Sequence, residues 1–171
     1  TADLANAWGN LASRSIAMVE KYFGGVVPSA PLTALDAADQ GDYATYHGAM
    51  DGSRGYLLHE GLKAVWATVA RGNEYVDRQA PWKLAKEPAS ADRLTQVLFD
   101  AAEAIRLAAV LLMPIMPSSS KEILRRVGAT PDGVQLDRDG RWCADGERRL
   151  LQEDRVELPR HLAAVLRPRL G

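Results

Sequence analysis

ADRLTQVLFDAAEAIRLAAVLLM, residues 91–113, decides how this chain folds. Leu94, Val97, Leu98, Ala101, Ile105, Ala108 and Leu112 recur at three- and four-residue spacing, the period that stacks side chains on one face of an α-helix. Toward its end the segment is apolar on most faces, which predicts a helix surrounded by others. Pro114 and Pro117 break it, because proline cannot donate the next backbone hydrogen bond. Ser119 with Glu122 reads as a capping box that opens a short helix to Val127.

Working outward, residues 2–23 show the same period, with Leu4, Trp8, Leu11, Met18 and Tyr22 on one stripe beside Ser15. Gly24-Gly25 supplies the residues that end a helix, and a linker follows through Pro28 and Pro31. A helix is expected over 33–52, with Thr33 and Asp36 as a weak cap and Asp51-Gly52 as a turn. Another is expected over 55–79, with Leu58, Leu62, Val65, Val69 and Val76 on its apolar face and Pro81 as its stop. These elements predict an all-α fold, an antiparallel bundle of four to five helices over residues 1–128. Residues 129–171 read as a less regular C-terminal extension packed on the bundle. It has a loop or small hairpin around Val134–Leu136 and Trp142–Cys143, and a tail from Leu158 to Leu170.

The composition narrows the function classes. At 171 residues, 47% hydrophobic and 25% charged, the chain can bury one core. Its 21 basic and 22 acidic residues leave a net charge of −1. A protein that holds nucleic acid mainly through phosphates carries a basic excess, so any such role here has to rest on a small local site. One cysteine, Cys143, excludes a disulfide framework and fits a reducing cytoplasm. Thr1 already lies in helical sequence with no leader pattern, which suggests an internal fragment. The longest apolar run, Leu107 to Met116, is too short to span a bilayer.

Catalytic patterns are missing. There is no His-Glu-x-x-His, no Glu-x-x-His and no Gly-rich phosphate loop. His47, His59 and His161 are isolated, and His59-Glu60 is a surface pair rather than a metal site, its members pointing to different faces. Cys143 has no partner that would make it a nucleophile.

Two polar segments stand out. Asn10 and Arg14 lie four residues apart on the first helix, roughly 80–120° from the centre of its apolar stripe at 100° per residue. By spacing alone they form an ordinary polar flank. An amide beside a guanidinium can also hydrogen-bond the edges of unpaired bases, and arginine can stack on a base plane. The second segment is NEYVDRQAPWKL, residues 73–84, in which Trp82 follows a helix-stopping proline. Such an indole either plugs the end of the bundle or offers a rigid platform for a splayed base.

In order and spacing, GNLASR near the start, NEYVDRQAPWKLAK after a long helix, and AIRLAAVLLMPIMPSSSKEILRRVG resemble the successive signatures of the methionyl-tRNA synthetase anticodon-binding domain. The pattern N-x-Y-[IV]-D-x-Q-A-P-W-K-L is specific to that family; the helix ending in Pro-x-Met-Pro is shared with other class I synthetases. The resemblance covers residues 2–128, with a fainter echo in RPRLG at the end.

The resemblance implies that the chain receives the CAU anticodon loop of methionine tRNA, with Asn10, Arg14 and Trp82 as its recognising residues. Trp82 would stack on one base, the first of the anticodon being the best candidate, and Asn10 and Arg14 would bond base edges nearby. Lys83, Lys86 and Arg78 are weaker candidates for phosphate contact. The parent would be a cytoplasmic methionine–tRNA ligase. Neither a His-Ile-Gly-His-type nor a Lys-Met-Ser-Lys-Ser-type segment occurs here, so the active site, with ATP and any zinc, would belong to a catalytic domain of the same parent chain. No cofactor or metal is expected in this chain, and no membrane. Two alternatives stand beside this reading. One is the anticodon domain of a class I synthetase for isoleucine, valine, leucine or cysteine. The other is a helical protein-interaction module without RNA contact, using Trp8, Trp66, Trp82 and Trp142 as core or interface anchors, of which Trp8 and Trp66 look like core.

Overall fold

Helix α5, Ala91–Leu112, runs through the middle of the molecule. From Val97 to Leu112 every residue is buried, as the apolar surround of this segment predicts. The computed structural model describes residues 2–31 and 35–140. Around α5 stand α1 (Ala2–Phe23), α2 (Leu35–Met50), α3 (Leu58–Gln79), α4 (Pro81–Leu84), α6 (Pro117–Arg126) and α7 (Leu136–Asp139). The fold is all-α among the described residues, and none of these helices is long and apolar enough to cross a membrane.

The side-chain pairs fix the directions. Tyr75 of α3 donates to Asp100 of α5 and Arg93 to Gln79, so α3 and α5 run antiparallel. Asp42 of α2 meets Thr68 and Arg71 while Met50 lies against Gly61, so α2 and α3 are antiparallel as well. Helices α1 and α3 lie side by side in parallel, because Asn10 pairs with Asn73 and Arg14 with Asp77. Gly72 allows that approach: a Cβ there would sit 2.7 Å from Cδ2 of Leu11.

On α1 the stripe is as expected at Trp8, Leu11 and Ser15, which are buried, and at Met18 and Tyr22, which are half-buried. The side chains of Leu4, Thr33 and Asp36 lie outside the described set. Gly24 and Gly25 both take left-handed φ values, 64° and 86°, and close the helix through a Gly25 N–H to Val19 carbonyl bond of 3.2 Å.

Several expectations are corrected. Helix α3 opens at Leu58 rather than 55, since Asp51 caps a short 3-10 turn over Gly52–Arg54 and the chain then reverses at Gly55 and Tyr56, both at positive φ. Leu58 is 51% exposed despite its place in the apolar pattern; α2 ends at Met50 opposite Gly61, one turn further along α3. Trp66 is 37% exposed, not core: it sits roughly 80° from the centre of the Val65–Val69–Val76 stripe, at 100° per residue. The capping box does not form. Pro117 opens α6 with its φ preset, Ser120 N–H donates to the Met116 carbonyl, and Glu122 turns to Arg126 at 2.9 Å. Val134–Leu136 leads into the single turn of α7 instead of a hairpin strand. Trp142, Cys143, His161 and the expected tail lie outside the described residues.

The central helix carries charges that periodicity did not reveal. Glu103 and Arg106 are both essentially inaccessible and bonded to each other, with 2.8 Å from Arg106 Nε to Glu103 Oε2. Arg106 Nη1 also donates to the Asp139 carbonyl at 2.6 Å, which seats α7 on α5. The Asp139 carboxylate accepts from Gln135 N–H and from Arg138 Nε and Nη2, each at 2.7 Å. Burial works to raise its pKa; the bonds from Arg138 and Gln135 and the charges of Arg138 and Arg106 outweigh it and hold the carboxyl below its ordinary 3.8. Tyr46, buried with its hydroxyl on the Leu111 carbonyl, is pushed up to about 12 by burial.

Breaking the buried pair is expected to be costly. Arg106→Met should destabilise the chain by about 3–5 kcal/mol, because it strands the Glu103 carboxylate, while Arg106→Met with Glu103→Leu should recover much of the loss; urea denaturation of the three proteins checks both. A second expectation concerns pH. Because the folded chain holds Asp139 at a depressed pKa, its contribution is complete above pH 3.8 and fades as pH falls through the folded value. Asp139→Asn should therefore cost about 1–3 kcal/mol at pH 7, and the two melting curves should converge in acid.

Candidate nucleic-acid interface

Asn10 and Arg14 stand on the flank of α1 where the helical period turns away from the core, and both reach toward α3. Asn10 is exposed; the Arg14 side chain is one-third exposed. The neighbouring face of α3 repeats the spacing with Asn73 and Asp77, again four residues apart. Because the two helices run parallel, the pairs meet in register. Asn10 Nδ2 donates to Asn73 Oδ1 at 3.4 Å, and Arg14 Nη2 meets Asp77 Oδ1 at 2.6 Å.

The two rungs differ in depth. Asn73 is half-buried, and its Nδ2 donates to two main-chain carbonyls, Ala7 on α1 and Val69 on α3, both at 3.1 Å. Asp77 lies in solvent. Its pair with Arg14 is therefore a surface ion pair, screened by salt and weak in itself. What it does is hold a flexible side chain in place.

Trp82 arrives from a different element. Helix α3 ends at Gln79, and Ala80 takes a left-handed conformation, φ 45° and ψ 60°. That costs roughly 1–2 kcal/mol for a residue with a Cβ, offset by the packing of the next turn. Pro81 opens α4 and is buried, while Leu84 and Ala85 pack against Val19, Leu94 and Leu98. Pinned at both ends, the turn leaves Trp82 facing outward, 38% exposed. The Arg14 guanidinium rests over the indole, its Cζ 5.7 Å from the ring centroid, within the range of a cation–π contact. Residues far apart in the chain are thus joined in one cluster.

Asn10, Arg14 and Trp82 therefore converge on one exposed face. Lys83 and Lys86 are exposed close by, while Arg78 is engaged with Glu74 along α3. Asn73 and Asp77 were not singled out by sequence reasoning. The available signal was the repeated four-residue spacing, Asn10/Arg14 and Asn73/Asp77, and nothing in sequence shows that the two helices meet in parallel. Away from this face, His59 and Glu60 pair at 3.2 Å on the surface: adjacent side chains at the first turn of α3 bend toward each other rather than to separate faces. No group of three His, Cys, Asp or Glu residues among the described residues could hold a metal ion.

Chemically, the cluster offers a planar aromatic face, a planar cation and an amide with both donor and acceptor capacity. That set suits an unpaired nucleobase, which needs a stacking surface and partners for its edge.

Comparison with known proteins places the chain in a family. Residues 29–151 match the family model described as the anticodon binding domain of methionyl tRNA ligase, a span that takes in α3 and Trp82 while α1 precedes it. The chain is 41% identical over 156 residues to a methionine–tRNA ligase of Streptomyces coelicolor, covering 86% of this chain and 29% of that protein. It is 38% identical over 136 residues to the methionine–tRNA ligase of Mycobacterium leprae, covering 76% of this chain and 25% of that one. Among solved structures it superposes on the free form of Mycobacterium tuberculosis methionyl-tRNA synthetase with a TM-score of 0.65 and 33% identity, over 92% of this chain and 32% of that structure. The chain thus spans less than a third of these relatives. With the family model covering most of the sequence and the helical bundle matching a solved member, the chain belongs to the family of methionyl-tRNA ligase anticodon-binding domains.

Proposed function

We propose that the α1–α3–α4 face reads the CAU anticodon loop of methionine tRNA, on behalf of a methionine–tRNA ligase whose catalytic domain lies in the same parent chain. The observation that carries this reading is the convergence of Asn10, Arg14 and Trp82 on one exposed surface, with the guanidinium already lying over the indole.

Sequence-specific reading of RNA works on single-stranded loops whose bases can be splayed, stacked and bonded at their edges. Trp82 supplies the stack. Arg14, held by Asp77 and by the indole, is pre-positioned to stack or to donate to a base acceptor, so little side-chain freedom is lost on binding. Asn10 reads an edge beside it. Lys83 and Lys86 take the phosphates that enter the site, which reconciles RNA binding with a net charge of −1. The short phosphate footprint makes the isolated chain a weak binder at physiological salt.

Activation of methionine with ATP, and any zinc site, belong to the part of the parent that this chain does not span. A cytoplasmic location of the parent is part of the same proposal, in keeping with a single cysteine. The described part of the expected extension, residues 129–140, is seated on α5 through Arg106 and Asp139.

A methionine-tRNA anticodon stem-loop should bind this chain at low salt in preference to a stem-loop with a scrambled anticodon, measured by fluorescence anisotropy. Trp82→Ala should weaken binding by about 1–3 kcal/mol, the worth of a stacked base. Asn10→Ala and Arg14→Ala should erode the preference for CAU while the melting temperature stays near that of the parent sequence. A wild-type chain that binds both stem-loops equally would remove anticodon reading as its function.

A further inference from the structure

We infer that Asn73 is a positioning residue that locks the amide of Asn10 in one orientation and thereby sets which base edge Asn10 accepts. This role rests on the proposed anticodon reading and adds a specificity-determining residue to it.

The hydrogen bonds lead from the backbone outward. The Nδ2 of Asn73 faces two main-chain carbonyls, Ala7 and Val69, both at 3.1 Å. Neither carbonyl can face the amide oxygen without repulsion, so the Asn73 amide has one allowed orientation, with Oδ1 turned toward Asn10. That oxygen accepts only from a donor. Asn10 must therefore present its NH2 group to Asn73, as it does at 3.4 Å. A primary amide has its donor and acceptor on opposite branches of one plane. With the NH2 branch assigned, Oδ1 of Asn10 is assigned too. The outward pair, one N–H and one oxygen, has a fixed order.

That order matters because a transition substitution reverses the Watson–Crick edge. Cytosine presents an amino donor and then a ring acceptor, where uracil presents a carbonyl acceptor and then a ring donor; adenine and guanine are related in the same way. A freely rotating amide flips and bonds either member of such a pair equally well. A locked amide bonds one and opposes the other. The lock reaches from the backbone of two helices to the solvent-exposed amide through a single side chain, so it does not depend on any long-range rearrangement.

The test uses stem-loops with CAU and its three transition variants, UAU, CGU and CAC, bound to the wild-type chain and to Asn73→Ala, Asn10→Ala and Trp82→Ala. Asn73→Ser accompanies them, since serine can bond the Val69 carbonyl within the helix but is too short to reach Asn10, which keeps the test open if the alanine variant folds poorly. In Asn73→Ala or Asn73→Ser the preference for CAU should fall roughly tenfold at one anticodon position only, chiefly through a gain for the transition variant. In an Asn10→Ala background the same substitution should change nothing further. Trp82→Ala should weaken all four loops alike. Equal loss at every position, together with a lowered melting temperature, would make Asn73 structural and overturn the proposal. So would an unchanged set of ratios in the Asn73 variants while Asn10→Ala still loses its preference. If Asn10→Ala and Trp82→Ala leave binding untouched, the anticodon reading itself falls, a result distinct from either of these.

Discussion

The burial of α5 on every side is the constraint on which the rest of the molecule depends. A helix surrounded by protein from Val97 to Leu112 has no solvent face on which to place a charge. Glu103 and Arg106 are nonetheless inside it. Desolvating two ions is costly, and their mutual attraction recovers that cost only when the remaining hydrogen-bonding capacity is filled. Here part of it is filled from outside the helix, by the carbonyl of Asp139. The pair is thus weak as a source of net stability but demanding in geometry. It specifies where α7 has to sit.

The same helix sets the frame for the exposed face. Helices α1 and α3 both pack antiparallel to α5, so they run parallel to each other, and Gly72 brings them close enough for side chains on their flanks to touch. Two four-residue spacings, unremarkable on separate helices, then become the rungs of a ladder. Helix α4 closes the arrangement: Leu84 against Val19, Leu94 and Leu98 ties it to both α1 and α5, and Trp82 is turned out over Arg14. Each polar group on the face is held by a neighbour, and for Asn10 that neighbour is anchored more deeply than itself. Asn10 leans on Asn73, Asn73 on the backbone of two helices, and Arg14 on Asp77 and the indole. Preorganisation of this kind lowers the ordering cost of binding, and under the proposed function it would offset the near absence of net charge against a polyanionic partner.

The interior polar groups divide by depth in a way that follows from desolvation. Tyr46 and Tyr75 both have hydroxyls bonded inside the bundle and both are held well above the ordinary phenol range, chiefly by burial. Asp139 goes the other way, because the bonds and charges gathered around it outweigh its desolvation. The ion pairs of the exposed face, Arg14 with Asp77 and Arg78 with Glu74, lie in water where such pairs contribute little to stability. Their value is positional.

Much of this protein was legible in its sequence. The three-four period of residues 94–112 announced a central helix because side-chain direction along a helix is fixed by its pitch, and the stripes at Trp8, Leu11 and Val65, Val69, Val76 followed for the same reason. Proline and glycine marked the ends of α1, α3 and α5 by chemistry that needs no tertiary context. Spacing alone left Asn10 and Arg14 as an ordinary polar flank and Trp82 as either a plug or a platform; the resemblance of the surrounding motifs is what singled them out. The tertiary structure decided what periodicity cannot carry. It left Leu58 and Trp66 partly exposed, because burial depends on where the neighbouring helix ends and on how wide the contact is. It opened α6 at Pro117 rather than at the Ser119–Glu122 box, since proline has its φ preset for a first helical turn and no N–H there for a cap to satisfy. It also paired Asn10 with Asn73 and Arg14 with Asp77. A contact across 63 residues arises from the parallel packing of two helices against a third, and a one-dimensional pattern has no term for that.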